Sequence, residues 1–153
     1  MDRFVKRCLT LALILSVAGG CSGKRPDTIG LDSGGLRACP QSPNCVSSEA
    51  TDESHAIAAF RLKGDPRVSW PLIQHEIASR PRWAVVTASD RYLHVECKSL
   101  VFRFVDDLEL YFDSATGIIS IRSASRIGYS DFGANRRRVE LLRSVLSAGR
   151  LIE

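Results

Sequence analysis

Hydrophobic positions along the chain change period twice, and the changes divide the folded body. Across residues 69–79 the apolar side chains Trp70, Ile73 and Ile77 recur on one helical face. Ser69 stands as candidate N-cap and Pro71 is tolerable in a first turn, while Pro81 and Arg82 end the segment. From Trp83 the period falls to two. Residues 83–89, 92–97, 100–105, 107–113 and 118–123 read as strands rich in Val, Ile, Phe and Tyr, joined by short polar turns such as Ser114-Ala115-Thr116-Gly117. A last helix, starting between Ser130 and Asn135, carries Val139, Leu142, Val145 and Leu146 on one stripe. Residues 56–60 start either a strand or a short helix. The pattern predicts an α+β fold: an antiparallel meander of about five strands, flanked by an N-terminal and a C-terminal helix packed on one face.

The first residues belong to a different kind of segment. Arg3, Lys6 and Arg7 precede an apolar run over 8–17, followed by Ala18-Gly19-Gly20 and Cys21. This is the order of a signal peptide, and a run of roughly ten residues is half the roughly twenty needed to span a bilayer. Small residues before a cysteine resemble the lipobox of bacterial lipoproteins, which implies cleavage before Cys21 and a lipid on its thiol. An ordinary signal peptide cut near Ala18 is the alternative. Ser22 after the cysteine implies, by the usual sorting rule, an outer-membrane lipoprotein facing the periplasm. The expected organisation is a signal peptide over 1–20, the lipidated Cys21 with a flexible tether over 21–38, and one globular domain over 39–150. About 17 Gly-containing tether residues would reach on the order of 20–25 Å. Nothing after Ser22 reads as membrane-seeking.

Removing the first 20 of 153 residues leaves 133, the size of a single core. It also takes away half of the formal +4 charge, since Arg3, Lys6, Arg7 and Asp2 leave with it, and an excess of +2 remains. No bulk nucleic-acid character remains. The cations are mostly arginine, the residue suited to planar bidentate pairing with carboxylates and phosphates. Of the five cysteines, Cys8 departs with the leader and Cys21 takes the lipid. In an oxidising compartment Cys39 and Cys45 are expected to form a disulfide, reduced thiols being the alternative. Cys97 lies in an alternating strand and is expected to be a small core side chain.

Three stretches carry a family resemblance: Cys39-Pro40-Gln41-Ser42-Pro43-Asn44-Cys45-Val46-Ser47-Ser48, then Phe104-Val105-Asp106-Asp107-Leu108-Glu109, then residues 122–138 with Arg126-Ile127-Gly128-Tyr129-Ser130-Asp131-Phe132-Gly133 at their centre. In that order they resemble the domain of unknown function 1499 over about residues 38–147. The resemblance implies no established activity.

The same stretches hold the candidate chemistry. Strand alternation puts Tyr92, His94 and Glu96 on one face, and Asp107, Glu109 and Tyr111 on one face of another strand. If these rows share a side, they bring carboxylates, with Asp106 nearby, beside Arg103, Arg122 and Arg126. The simplest expectation is an ion-pair network fixing the sheet to the loop over 123–133. A sharper one is an anion-binding pocket built from Arg122, Arg126, Ser130, Asn135, Arg136 and Arg138 at the start of the last helix. Cations there oppose the helix macrodipole, so something negative is expected close by, either Asp106, Asp107 or Asp131 or a ligand. Its ligand would be a lipid headgroup, a glycan or an acidic peptide. Metal binding by His94, Glu96, Asp107 and Glu109 is a weaker alternative. Residues 128–133 miss the G-x-S-x-G elbow because Phe132 takes the place of its second glycine, and no phosphate-binding glycine motif occurs. No cofactor is implied. The sequence thus favours a non-enzymatic envelope module that binds an anionic ligand or a partner protein, with membrane contact through the lipid and no nucleic acid. A small hydrolase or metal-dependent enzyme is the alternative.

Overall fold

The computed structural model describes residues 23–153, so the signal segment and Cys21 lie outside the described residues. The elements in order are β1 (Leu31–Asp32), β2 (Gly35–Leu36), β3 (Cys45–Ser47), β4 (Phe60–Arg61), α1 (Pro66–Ala78), β5 (Trp83–Ala88), β6 (Tyr92–Lys98), β7 (Val105–Asp113), β8 (Ile118–Ser125) and α2 (Ala134–Ala148). The fold is α+β, with both helices on a largely antiparallel sheet ordered β3-β8-β7-β6-β5. β4 pairs with β8 beyond the end of β3, at Ile118 and Ile119, so residues 56–60 lead into a strand.

The meander has four strands rather than five. The stretch 100–105 is not a strand: residues 99–104 form the loop between β6 and β7, and Lys98 pairs directly with Val105. Leu100, Val101 and Phe102 are consecutive apolar residues without alternation, and Arg103 at φ 56° has a backbone that no strand accommodates. The sheet recovers its width on the other side through β3, whose Cys45, Val46 and Ser47 pair with Ala124, Ser123 and Arg122.

Helix α1 begins earlier than its apolar period suggests. Asp65, held extended ahead of Pro66, accepts a hydrogen bond from the backbone N–H of Arg67 and is the N-cap. Ser69 is buried inside the helix, where its hydroxyl donates to the carbonyl of Lys63, and Pro71 falls in the second turn. Helix α2 starts after Gly133, whose φ of 78° suits glycine. Its negative partner is Asp131, which accepts from the backbone N–H groups of Gly133 and Asn135.

One core joins these elements. Trp70, Ile73 and Ile77 of α1 and Val139, Leu142 and Leu146 of α2 bury against Leu93, Val95 and Cys97, Leu108, Leu110 and Phe112, and Ile119 and Ile121. Each fully buried aliphatic contributes about 1.5–3 kcal/mol of transfer free energy. The odd and even rows of β6, β7 and β8 therefore have separate fates, with apolar side chains facing the helices and polar ones facing away. Residues 23–38 cover that second face as a strap rather than hanging as a tether. Within it, the β1–β2 hairpin and Gly30 reach the sheet, and the backbone N–H of Gly30 donates to Glu109. The reason lies in the strands beneath: buried carboxylates need donors, and the strap supplies them.

Candidate functional site

The polar face is assembled by strand register. Glu96 stands opposite Asp107, His94 opposite Glu109 and Tyr92 opposite Tyr111, while Glu109 stands opposite Arg122 on β8. Two linked groups result. Arg122 Nη1 donates to Glu109 Oε2 at 2.8 Å, and the other oxygen of Glu109 accepts from the Tyr92 hydroxyl at 2.6 Å and from Gly30. Arg126, arriving from just past β8, makes a two-pronged contact with Asp107 at 2.8 and 2.7 Å and reaches Glu96 at 2.7 Å. His94 Nε2 meets Asp107 at 2.8 Å, and Arg25 of the strap donates to Glu96 at 2.6 Å.

Electrostatics follow from this pairing. Burial pushes the Asp107 carboxyl up, but hydrogen bonds from Arg126 and His94 outweigh it and hold the group below its ordinary value. Hydrogen bonds from Arg126 and then Arg25 lower Glu96. Arg126 is raised, chiefly by Asp107. Tyr92 is raised by burial and by its hydrogen bond to Glu109, so it stays a donor. The side chains of Glu109, Asp107 and Arg122 are at most 2% exposed, so each charge depends on its partner rather than on water.

The six residues grouped as a candidate anion pocket do not converge. Arg122 and Arg126 lie on the polar face. Asn135 and Arg138 lie on the opposite side, where Arg138 pairs with Asp106 and donates to Ser123, and Asn135 ties Ser123, Ser125 and the carbonyl of Asn44 together. Arg136 donates to the backbone carbonyls of Ala56 and Ser54. Ser130 is exposed on its loop, accepting from the N–H of Phe132. The arginine run at the start of α2 is therefore satisfied from within the protein. The candidate cluster of His94, Glu96, Asp107 and Glu109 does share one face, whereas Asp106 points to the helix side. Among the described residues, no three of His, Cys, Asp or Glu are disposed to hold a metal ion.

A cavity of about 310 Å³ remains between the strap and this face, lined among others by Thr28, Ser42, Asn44, Asp107, Arg122 and Arg126. One wall is the loop over 39–45, closed by the disulfide between Cys39 and Cys45. His55 holds the same loop, with Nε2 3.1 Å from the Ser42 carbonyl and Nδ1 2.7 Å from Asp52. The Ser54 hydroxyl, with His55, brings Asp52 down to about 2. Arg122 is one of the lining residues, and its Nε is buried and has no hydrogen-bond partner. Arg25, Gly30 and the Tyr92 hydroxyl are parts of this site that sequence reasoning missed. Strand alternation placed Tyr92 on the right face, whereas no local signal marks Arg25 or Gly30.

A family model described as "Protein of unknown function (DUF1499)" matches residues 35–146, and no curated protein and no solved structure matches the chain.

Proposed function

The chain belongs to the DUF1499 family of proteins of unknown function, and since that family has no activity to pass on, we propose from the site itself that this is a non-enzymatic envelope module. It is held to the outer membrane by a lipid on Cys21, faces the periplasm, and binds a small anionic ligand between strap and sheet. The observation that carries the reading is a cavity of about 310 Å³ lined by Arg122 and Arg126, in which the Arg122 guanidinium keeps one buried donor, Nε, without an acceptor. An orphaned buried donor costs about 1–3 kcal/mol, which a ligand oxygen would recover. Ser42, Thr28 and Asn44 offer further polar contacts, and the volume lies at the low end of ordinary ligand sites. Asp107 in the wall disfavours high charge, so a single carboxylate or phosphoester fits better than a polyanion. The anion sites first grouped around Arg136 and Arg138 are not part of this proposal. The hydrolase or metal-enzyme alternative is less favoured, because Glu96, Asp107 and Glu109 are each held by an arginine.

The reading is tested by thermal unfolding with acetate, glycerol phosphate or inorganic phosphate as probe, at constant ionic strength. Binding to the native state raises the midpoint by mass action. The expected result is a concentration-dependent rise for one of these probes that disappears when the cavity is filled by Thr28→Trp. If none of the probes moves the midpoint, or if the rise survives Thr28→Trp, the cavity is not an anion site.

A further inference from the structure

The large apolar side chains left in water are unevenly distributed. Of the twelve exposed ones among the described residues, seven lie at one end of the sheet. The β6–β7 loop contributes Leu100, Val101, Phe102 and Phe104, the first three more than two-thirds exposed, with the two phenylalanine rings stacked at 5.5 Å. The loop between β8 and α2 contributes Ile127, Tyr129 and Phe132, the last 87% exposed. Strand register makes these loops neighbours: Lys98 pairs with Val105, and Asp106, the next residue, pairs with Ser125 at the end of β8. An apolar patch of this extent on a small domain marks a contact surface.

The first described residue lies at the same end. A Cβ on Gly23 would come within 3.0 Å of Arg126 and Ile127 side-chain carbons, and the strap is pinned two residues later by the pair of Arg25 with Glu96. Cys21 is two residues before Gly23, at most about 7 Å of extended chain. A lipid on Cys21 therefore has no tether to hang from and would hold this end of the sheet against the bilayer surface. The margin of the patch carries the matching charge: Lys24, Lys98, Arg103 and Arg137 are all exposed around it, and cations of this kind favour anionic headgroups.

We propose that the two loops over 99–104 and 126–133 form a membrane-contacting tip, whose apolar side chains enter the headgroup region of an anionic bilayer beside the lipidated Cys21. The inference rests on the anchor reading and is independent of the ligand reading. Phe102 and Phe132 would sit about 5–10 Å into the boundary between headgroups and acyl chains, as interfacial aromatic side chains do. The tip orients the protein and the lipid holds it, so the polar face and its cavity stand a fixed, short distance above the membrane.

The test uses the full chain purified from membranes and reconstituted in mixed phosphatidylethanolamine and phosphatidylglycerol vesicles, with and without bromine on the upper acyl chains. Tryptophan is introduced at the tip by Phe102→Trp or Phe132→Trp and at the far turn by Ala115→Trp, the wild-type signal of Trp70 and Trp83 being subtracted. The expected result is bromine quenching of both tip variants several-fold greater than that of Ala115→Trp, and weaker when phosphatidylglycerol is omitted. Vesicle-bound protein with unquenched tip indoles overturns the tip while leaving the anchor intact. So does a crosslink from position 102 to another protein, or to a second copy, in native envelope in place of lipid quenching. Wild type that fails to sediment with vesicles overturns the anchor reading and the tip with it.

Discussion

Replacing Arg126 by alanine separates a structural network from an accessible binding residue. The guanidinium is 5% exposed and makes three hydrogen bonds of 2.7–2.8 Å, two of them to Asp107, itself 1% exposed. Without Arg126 the Asp107 carboxylate retains His94 alone, whereas Glu96 retains Arg25 and some contact with water. Removing one partner of a buried pair costs about 3–5 kcal/mol. The surviving His94 contact places this case at the low end, about 3 kcal/mol. For a folded body of this size that corresponds to a fall in melting temperature of roughly 10 °C. Circular dichroism and urea unfolding of wild type, Arg126→Ala, Asp107→Asn and the double variant measure it. The double variant should lose clearly less than the two single losses added, since the stranded charge is gone. The penalty should also shrink as pH falls, because an Asp107 without Arg126 takes up a proton more readily and the buried charge disappears. A melting temperature within about 2 °C of wild type at neutral pH would refute the assignment of Arg126 to a buried network.

Acid should destabilise the wild-type protein in a defined direction. Asp107 and Glu96 have lowered values in the folded state, so their stabilisation is complete above the ordinary carboxylate range near 4 and is lost as pH falls through the folded values; a melting temperature that rises below pH 4 would contradict this. Reducing the Cys39–Cys45 bridge, which closes a short loop, should cost about 2 kcal/mol on chain-entropy grounds, read as a lower denaturation midpoint in reductant. Cys97 is buried, and desolvation raises its thiol to about 12, so an alkylating reagent without reductant should modify it only after unfolding; prompt labelling of native protein would show the β6 core face to be open. Cys21→Ser should move the protein from membrane to soluble periplasm, since an apolar tip without acyl chains binds weakly; retention on the membrane would count against the lipid.

Much of the fold was legible because it is written in local repetition. A period of two from Trp83 onward and a period near 3.6 in α1 and α2 follow from strand and helix geometry alone, and they marked out α1, α2, β5, β6, β7 and β8 and the rows on each face. The turn at 114–117 and the candidate disulfide were equally local. The stretch 100–105 is apolar without the alternation that strand pairing requires, and its phenylalanines lie in water. Asp65 leaves no periodic mark as the cap of α1, because capping depends on a single backbone contact.

The site was visible only in outline. Alternation placed His94, Glu96, Asp107 and Glu109 on polar rows, and desolvation cost implied arginine partners, but which arginine meets which carboxylate is set by strand register across residues 13 to 30 apart in sequence. The packing of α2 on the other face of the sheet likewise took Arg138 and Asn135 to the helix side. The glycine-containing stretch before Cys39 has the composition of a free linker, and composition reports only what a segment can do alone. Its place as a strap came from the polar face beneath it, where the buried Glu109 accepts from Gly30 and the half-buried Glu96 accepts from Arg25.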